Sequence, residues 1–376
     1  MQEVALCFSQ GDCDLGMRRL IDLGLECDQM DIFKSVLHYV DWHYSSEFRA
    51  DLAAEIAGRS LDLIDKTGSW TRKESADAVL ELEGLNKSYK KGNFNLGPID
   101  IRLPERGILG LVGQNGNGKT TLIRTIWGEL SADSGVMKYH GHPVHQISYA
   151  LKSKMAYIPQ RTEIWYGSLM DNLQFTAALH GISPDENIWY TRMYIARFGL
   201  WPYKELNWKQ LSGGYKMRFE LARTMLRKPT LLLLDEPLAN LDIVSQQLIL
   251  EDLKHLAISD KHPMSIILSS QQLYEVEKIS HEVLYLEEGK PKGQSRTDSE
   301  SAPLVIELEG RVGKSELAQI LQPLTPLQIL FNGGVYIIHF SPEKTFSQVL
   351  KHLSENPVEI TCIRNISQSS RRFFTR

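Results

Sequence analysis

A parallel α/β fold is what this 376-residue sequence predicts, with an all-α region before it and a small ferredoxin-like α+β domain after it. Three observations carry that reading. Up to about Trp70, apolar residues recur three and four apart, as in Phe48, Leu52 and Ile56, which is the helical period. From roughly Val79 to Lys290, short apolar runs alternate with helical patterns. GILGLVG, KMAYIPQ, TLLLLDEP and MSIILSS are such runs, bounded by turn residues, as strands covered on both faces are. The remainder reads strand, helix, strand, strand, helix, strand, a ferredoxin-like order.

In chain order, LGMRRLIDLGLE, DIFKSVLHYVDWHY and SEFRADLAAEIAGRSLDLID predict three helices, and Gly68 can close the last. This region, 1–74, carries no metal-ligand spacing and is expected to bury its stripes internally or on the next domain. The α/β domain covers 75–291. The polar run from Lys290 to Pro303 reads as a linker, with boundaries at 292–302. In 303–376, LVIELEG, LQILF, VYIIHF and EITCIRNI are strands, and GKSELAQILQ and KTFSQVLKHLSE are helices. Asn332-Gly333-Gly334 is a hairpin signal between the middle strands. An interaction or regulatory role is expected for this last domain.

Composition narrows the class. A hydrophobic content of 42% and a charged content of 23% are ordinary for a globular chain. No run of about 18 apolar residues occurs, so no membrane span is expected. The start MQEVALCFSQGDCD has no basic, apolar leader. Cys7, Cys13, Cys27 and Cys362 lack disulfide or metal spacing and fit a reducing cytosol. A net charge of -4 argues against a nucleic-acid coat.

GLVGQNGNGKTTL follows an apolar strand and opens a helix, with Gly113, Gly118, Lys119 and Thr120 in the spacing G-x-x-x-x-G-K-T. Glycines let backbone N–H groups wrap a phosphate, and the helix N-terminus adds a favourable field. Lys119 supplies a charge for the β- and γ-phosphates, and the Thr120 hydroxyl can ligate Mg²⁺. Gly113, Asn115, Gly116, Gly118, Lys119, Thr120 and Thr121 are therefore the expected nucleotide contacts. In LLLLDEP, four leucines end in Asp235, placed to hold Mg²⁺, and Glu236, placed to orient or deprotonate water.

LSGGYKMRFELARTML adds a second anion site. Ser212 is a natural N-cap, and Gly213 and Gly214 allow close backbone approach. With this signature ahead of LLLLDEP, the chain resembles the ATP-binding cassette (ABC) ATPases over about Val79 to Lys290. That resemblance implies an ABC-type P-loop fold, ATP and Mg²⁺ as ligands, and hydrolysis of ATP. It implies that Tyr89 stacks on adenine and that Gln160 senses Mg²⁺ and water. Asp242, ending ANLD, is implied to contact the opposite subunit. Ser212, Gly213 and Gly214 would act in trans, across a head-to-tail homodimer or heterodimer with two ATP molecules. YGSLMDNLQFTAALHGI looks like exporter ATPases. Tyr215 stands where the family usually has glutamine.

The resemblance also implies a histidine after strand SIILSS, contacting the γ-phosphate. Here Gln271 occupies that position. A glutamine amide can donate a hydrogen bond but cannot become cationic near pH 7. With Glu236 intact, slow hydrolysis is expected rather than none.

The expected function is thus the ATPase subunit of an ABC transporter of exporter type. It would be cytoplasmic and peripheral on the plasma membrane, drive a multi-span membrane subunit, and make no direct contact with nucleic acid. The alternatives are a soluble ABC ATPase remodelling nucleic acid or ribosomes, and a nucleotide-gated binding module. His140, His142 and His145 have no carboxylate or cysteine nearby and read as strand and turn. The tail SSRRFFTR reads as a terminus.

Overall fold

The computed structural model describes residues 1–67, 78–89, 94–259, 262–296, 303–332, 334–356 and 358–367. Gly68, Gly333, residues 297–302 of the expected linker and the SSRRFFTR tail lie outside them.

In chain order the helical region holds α1 (Gln2–Ser9), α2 (Cys13–Cys27), α3 (Met30–His43) and α4 (Ala53–Thr67). Strands β1 (Ala78–Ser88), β2 (Asn95–Pro104) and β3 (Ile108–Val112) lead to α5 (Lys119–Ile126). Next come β4 (Ser134–Tyr139), β5 (His142–Pro143), α6 (Tyr149–Lys154), β6 (Met155–Ile158), α7 (Leu169–Leu179), α8 (Pro184–Arg197) and α9 (Gly213–Met225). They are followed by β7 (Leu231–Leu234), α10 (Ile243–Ala257), β8 (Ser265–Ser270), α11 (Leu273–Glu277), β9 (Glu282–Glu287) and β10 (Lys290–Arg296). The chain closes with β11 (Val305–Gly310), α12 (Lys314–Leu321), β12 (Gln328–Asn332), β13 (Val335–His339), α13 (Phe346–Ser354) and β14 (Ile360–Asn365).

Two units result. The first comprises Met1–Lys87, Pro98–Ile108 and Thr120–Ser269. In it β6, β7 and β8 run parallel, with Met155 opposite Leu231 and Leu231 opposite Ser265. All four leucines of β7 are buried, because the strand is covered on both faces. The N-terminal helices pack on α8 of this unit. Phe33 meets Tyr190 edge-on at 5.1 Å. Gly24 brings α2 close, since a Cβ there would lie 3.0 Å from Met193. Arg197, 1% exposed, pairs with Asp22 of α2 and Asp252 of α10. The stripes are therefore buried both within the N-terminal helices and on their neighbour.

The second unit comprises Ser88–Gly97, Leu109–Lys119 and Ser270–Arg376. Here β3 pairs parallel with β9, and β9 antiparallel with β10. The stretch read as a linker from Lys290 is thus a strand as far as Arg296. A polar, glycine-bearing run still satisfies its backbone groups by pairing along an edge. The last four strands form an antiparallel sheet in the order β12-β13-β11-β14, as the β-α-β-β-α-β pattern requires. Asn332 pairs with Val335 across the expected hairpin. Ile306, Leu308, Leu317, Leu321, Ile338 and Val349 share its core. Among the described residues, no helix is long and apolar enough to cross a membrane.

Candidate nucleotide site

In the second unit, β3 delivers the chain into the loop ahead of Lys119. Gly116 and Gly118 have φ values of 85° and 94°, a region that favours glycine. A Cβ on Gly113 would lie 2.4 Å from the Leu286 carbonyl oxygen, and one on Gly118 would lie 2.8 Å from the Phe94 ring. Asn117 pins the loop from its side chain. Its amide nitrogen donates to the Leu286 carbonyl at 3.0 Å, and its oxygen accepts from the Glu288 N–H at 3.3 Å. Lys119 is 4% exposed, and its ammonium donates to the carbonyls of Gly113 at 2.6 Å and Gln114 at 3.2 Å. The charge is held within the loop it serves. Tyr89 donates its N–H to the Phe94 carbonyl at 3.2 Å, with ring centroids 6.3 Å apart. Phe94 thereby ties the half-exposed Tyr89 ring to Gly118. Asn115 is exposed.

In the first unit, β7 carries Asp235 and Glu236, both buried. The Thr120 hydroxyl donates to Asp235 Oδ1 at 3.1 Å, and the Ser269 hydroxyl donates to the same oxygen at 2.7 Å. Ser269 also accepts the Glu236 N–H at 2.8 Å. One serine at the end of β8 thus positions the carboxylate of Asp235 and the backbone of Glu236. Glu236 has φ 50°, which is costly for a residue with a Cβ and recurs at functional sites. The adjacent oxygens of Thr120 and Asp235 are the hard donors that suit Mg²⁺. Tyr157 stays protonated, pushed up to about 12 by burial first and then by the Asp235 charge. Gln160 is exposed just past β6, and Thr121 lies in the first turn of α5. Removing the serine hydroxyl tests this cluster. Ser269→Ala should lower hydrolysis at saturating ATP about tenfold, through the loss of a hydrogen bond to a charged group. ATP affinity should stay within about twofold.

Ser212 does occupy the N-cap of α9, but its side chain makes no cap hydrogen bond and it is exposed. Gly214 lets α9 approach α10, because a Cβ would lie 2.8 Å from Ser245 Oγ. Gly213 is exposed beside Leu241. Asp242 caps α10, accepting from the Ser245 N–H at 2.9 Å and the Ser245 hydroxyl at 2.7 Å. Those bonds hold its carboxyl below the usual range. Tyr215 packs on Tyr203, with centroids 4.3 Å apart.

The two glutamines after β8 divide their roles. Gln272 is the N-cap of α11, and its N–H donates to Ser270 Oγ at 2.9 Å. Its amide nitrogen, turned toward Glu275, donates to that carboxylate at 2.8 and 2.9 Å. Gln271 is exposed, and its side chain makes no hydrogen bond among the described residues. Gln272 is held by the helix start, while the Gln271 side chain is exposed and uncommitted. The structure thus joins Thr120 to Asp235, and Lys119 to Gly113. It adds Asn117, Phe94 and Ser269, which motif spacing does not mark. Among the described residues, no group of three or more His, Cys, Asp or Glu side chains is placed to hold a metal.

The family model described as ABC transporter matches residues 96–239. The chain is 33% identical over 221 residues to the uncharacterized ABC transporter ATP-binding protein YhaQ of Bacillus subtilis, covering 58% of this chain and 71% of YhaQ. It is 27% identical over 255 residues to Nod factor export ATP-binding protein I of Cupriavidus metallidurans, covering 66% and 82%. Among solved structures, cbiO1 of Clostridium perfringens, part of an ABC transporter complex, superposes with a TM-score of 0.54. That match has 25% identity and covers 58% of this chain and 88% of cbiO1. The chain belongs to the ATP-binding proteins of ABC transporters and is an ATPase of that family.

Proposed function

We propose that this ATP-binding subunit drives a separately encoded multi-span membrane subunit in the export direction. It would work as a head-to-tail dimer closing on two Mg-ATP at the inner face of the plasma membrane. The observation that carries the dimer is the start of α9. Ser212 and Gly213 are exposed, and the Ser212 hydroxyl is not used for capping, so an anion site faces outward. A nucleotide held on a second subunit is the ligand such a site suits. The segment after Gln160 supports a membrane partner, because it exposes Ile164, Tyr166, Phe175 and Leu179. Export is supported by the likeness to the Nod factor export protein.

In this reading Lys119 and the loop N–H groups hold the β- and γ-phosphates. Tyr89 stacks on the base. Thr120, Asp235 and Gln160 would hold Mg²⁺, which would neutralise charge on the phosphates. Glu236 takes the proton of the attacking water, and Gln271 donates a neutral hydrogen bond to the γ-phosphate. Lacking a cationic form, Gln271 stabilises the developing charge less than a histidine would.

Co-expression with membrane proteins encoded beside this chain tests the proposal. A multi-span partner should co-purify in detergent and stimulate ATP hydrolysis. Failure of every such partner, with salt-sensitive binding to RNA or ribosomes instead, would support a soluble remodelling role.

A further inference from the structure

Within the first unit, Arg18 of α2 and Arg218 of α9 point their guanidinium groups at one spot. A Cβ on Gly199 would lie 3.2 Å from Arg218 Nη1 and 3.7 Å from Arg18 Nη2. Arg218 is 7% exposed, and arginine is seldom buried so deeply unless paired. Yet neither arginine makes an ion pair or a hydrogen bond with any described residue. Arg218 rests only on the Tyr215 ring, 5.4 Å from its centroid. Burial first, and then the Arg18 charge, push Arg218 below its usual range.

The carboxylates near enough to act on this pair are committed elsewhere. Asp252 pairs with Arg197, and Asp242 caps α10 through Ser245. Asp14 bonds to His43 Nε2 at 3.0 Å. None of the three is within ion-pair distance of either arginine.

Hydroxyl donors stand beside the two charges. Burial and then Asp14 push the Tyr44 hydroxyl up, while Arg18 and Arg218 pull it down. That hydroxyl makes no hydrogen bond with a described residue, and Tyr44 is 39% exposed. Tyr203 and Tyr215 share one hydrogen bond at 3.0 Å, so one of their two O–H protons is unused. Tyr215 lies three residues before Arg218, on the same face of α9. The tyrosine that departs from the family's usual glutamine therefore adds a donor here.

Two forked cations and adjacent hydroxyls suit a doubly charged oxyanion with several acceptor oxygens. A phosphate group carries about −1.5 to −2 near pH 7. A single carboxylate would match only one of the two arginines. We infer that Arg18, Arg218, Tyr44 and the Tyr203–Tyr215 pair bind a phosphate group, free or carried on a small molecule. The site lies within one chain, so it depends neither on dimerisation nor on the direction of transport. A ligand there joins the N-terminal helices to α9.

The test is calorimetric titration of the full chain, with Mg²⁺ and a non-hydrolysable ATP analogue filling the nucleotide site. Inorganic phosphate and phenyl phosphate are the probes, and acetate at equal ionic strength is the control. Saturable binding is expected, with acetate at least about tenfold weaker. Tighter binding of phenyl phosphate assigns the site to a monoester, and equal or weaker binding to the free ion. Arg18→Gln should weaken the phosphate probes at least about tenfold. Arg18→Glu should abolish binding and raise the melting temperature, because the new carboxylate meets Arg218. If neither variant folds, Tyr44→Phe decides, with an expected loss of about threefold. No saturable binding, or acetate as tight as phosphate, would overturn the inference. So would unchanged affinity in a folded Arg18 variant, or in Tyr44→Phe standing in for it.

Discussion

Glu236→Gln is expected to lower ATP hydrolysis about a thousandfold, within the range for loss of a general base. ATP affinity should change by no more than a few-fold. The asymmetry follows from placement. Glu236 emerges from β7 with φ 50°, and its N–H is held by Ser269 at 2.8 Å. Glutamine has the same shape and leaves that backbone anchor intact, so the substitution removes only the proposed proton acceptor. Phosphate release in a single turnover, set beside ATP binding, separates the two effects. A loss of only a few-fold would show that another group takes the proton.

Lys119→Ala should weaken ATP binding about a hundredfold, as expected for losing charge-assisted hydrogen bonds to phosphate. The ammonium is buried and bound to the carbonyls of Gly113 and Gln114, so it is fixed within the loop. In the proposed site, alanine would leave those carbonyls facing the phosphates with no cation between them. Equilibrium binding of a fluorescent ATP analogue measures the loss. An affinity within threefold of the parent would show that the loop N–H groups alone hold the phosphates.

The ends of apolar strands made most of this site legible in the sequence. Gly113 to Thr120 follow β3, Asp235 and Glu236 follow β7, and Gln271 follows β8. Each run is a strand because four to six apolar or small residues in a row suit a covered sheet. The six elements of the last domain were equally legible, since each has a clear period and a turn beside it. Residues that act on other residues were not. Ser269 matters because β8 lies beside β7, a non-local pairing that no spacing encodes. Asn117 matters because β9 returns beside β3 and brings the Leu286 carbonyl within reach. Strand β10 was hidden because its polar, glycine-containing sequence has no strand period. The Ser212 N-cap illustrates a different limit. Position fixed the residue, but the bond its hydroxyl makes depends on a side-chain rotation that sequence does not specify.

Gln271 remains the departure with the widest consequence for the motor. Its neighbour Gln272 is held by Ser270 and Glu275, whereas Gln271 is exposed and uncommitted. Exchanging a neutral amide for imidazole should lower the barrier by about 1–3 kcal/mol, or ten- to a hundredfold in rate. Single-turnover phosphate release by the purified chain, compared with Gln271→His, tests this most directly. The expected result is slow but measurable release by the parent and release ten- to a hundredfold faster by the variant. Tight ATP binding with no release from the parent, or a parent as fast as Gln271→His, would contradict it.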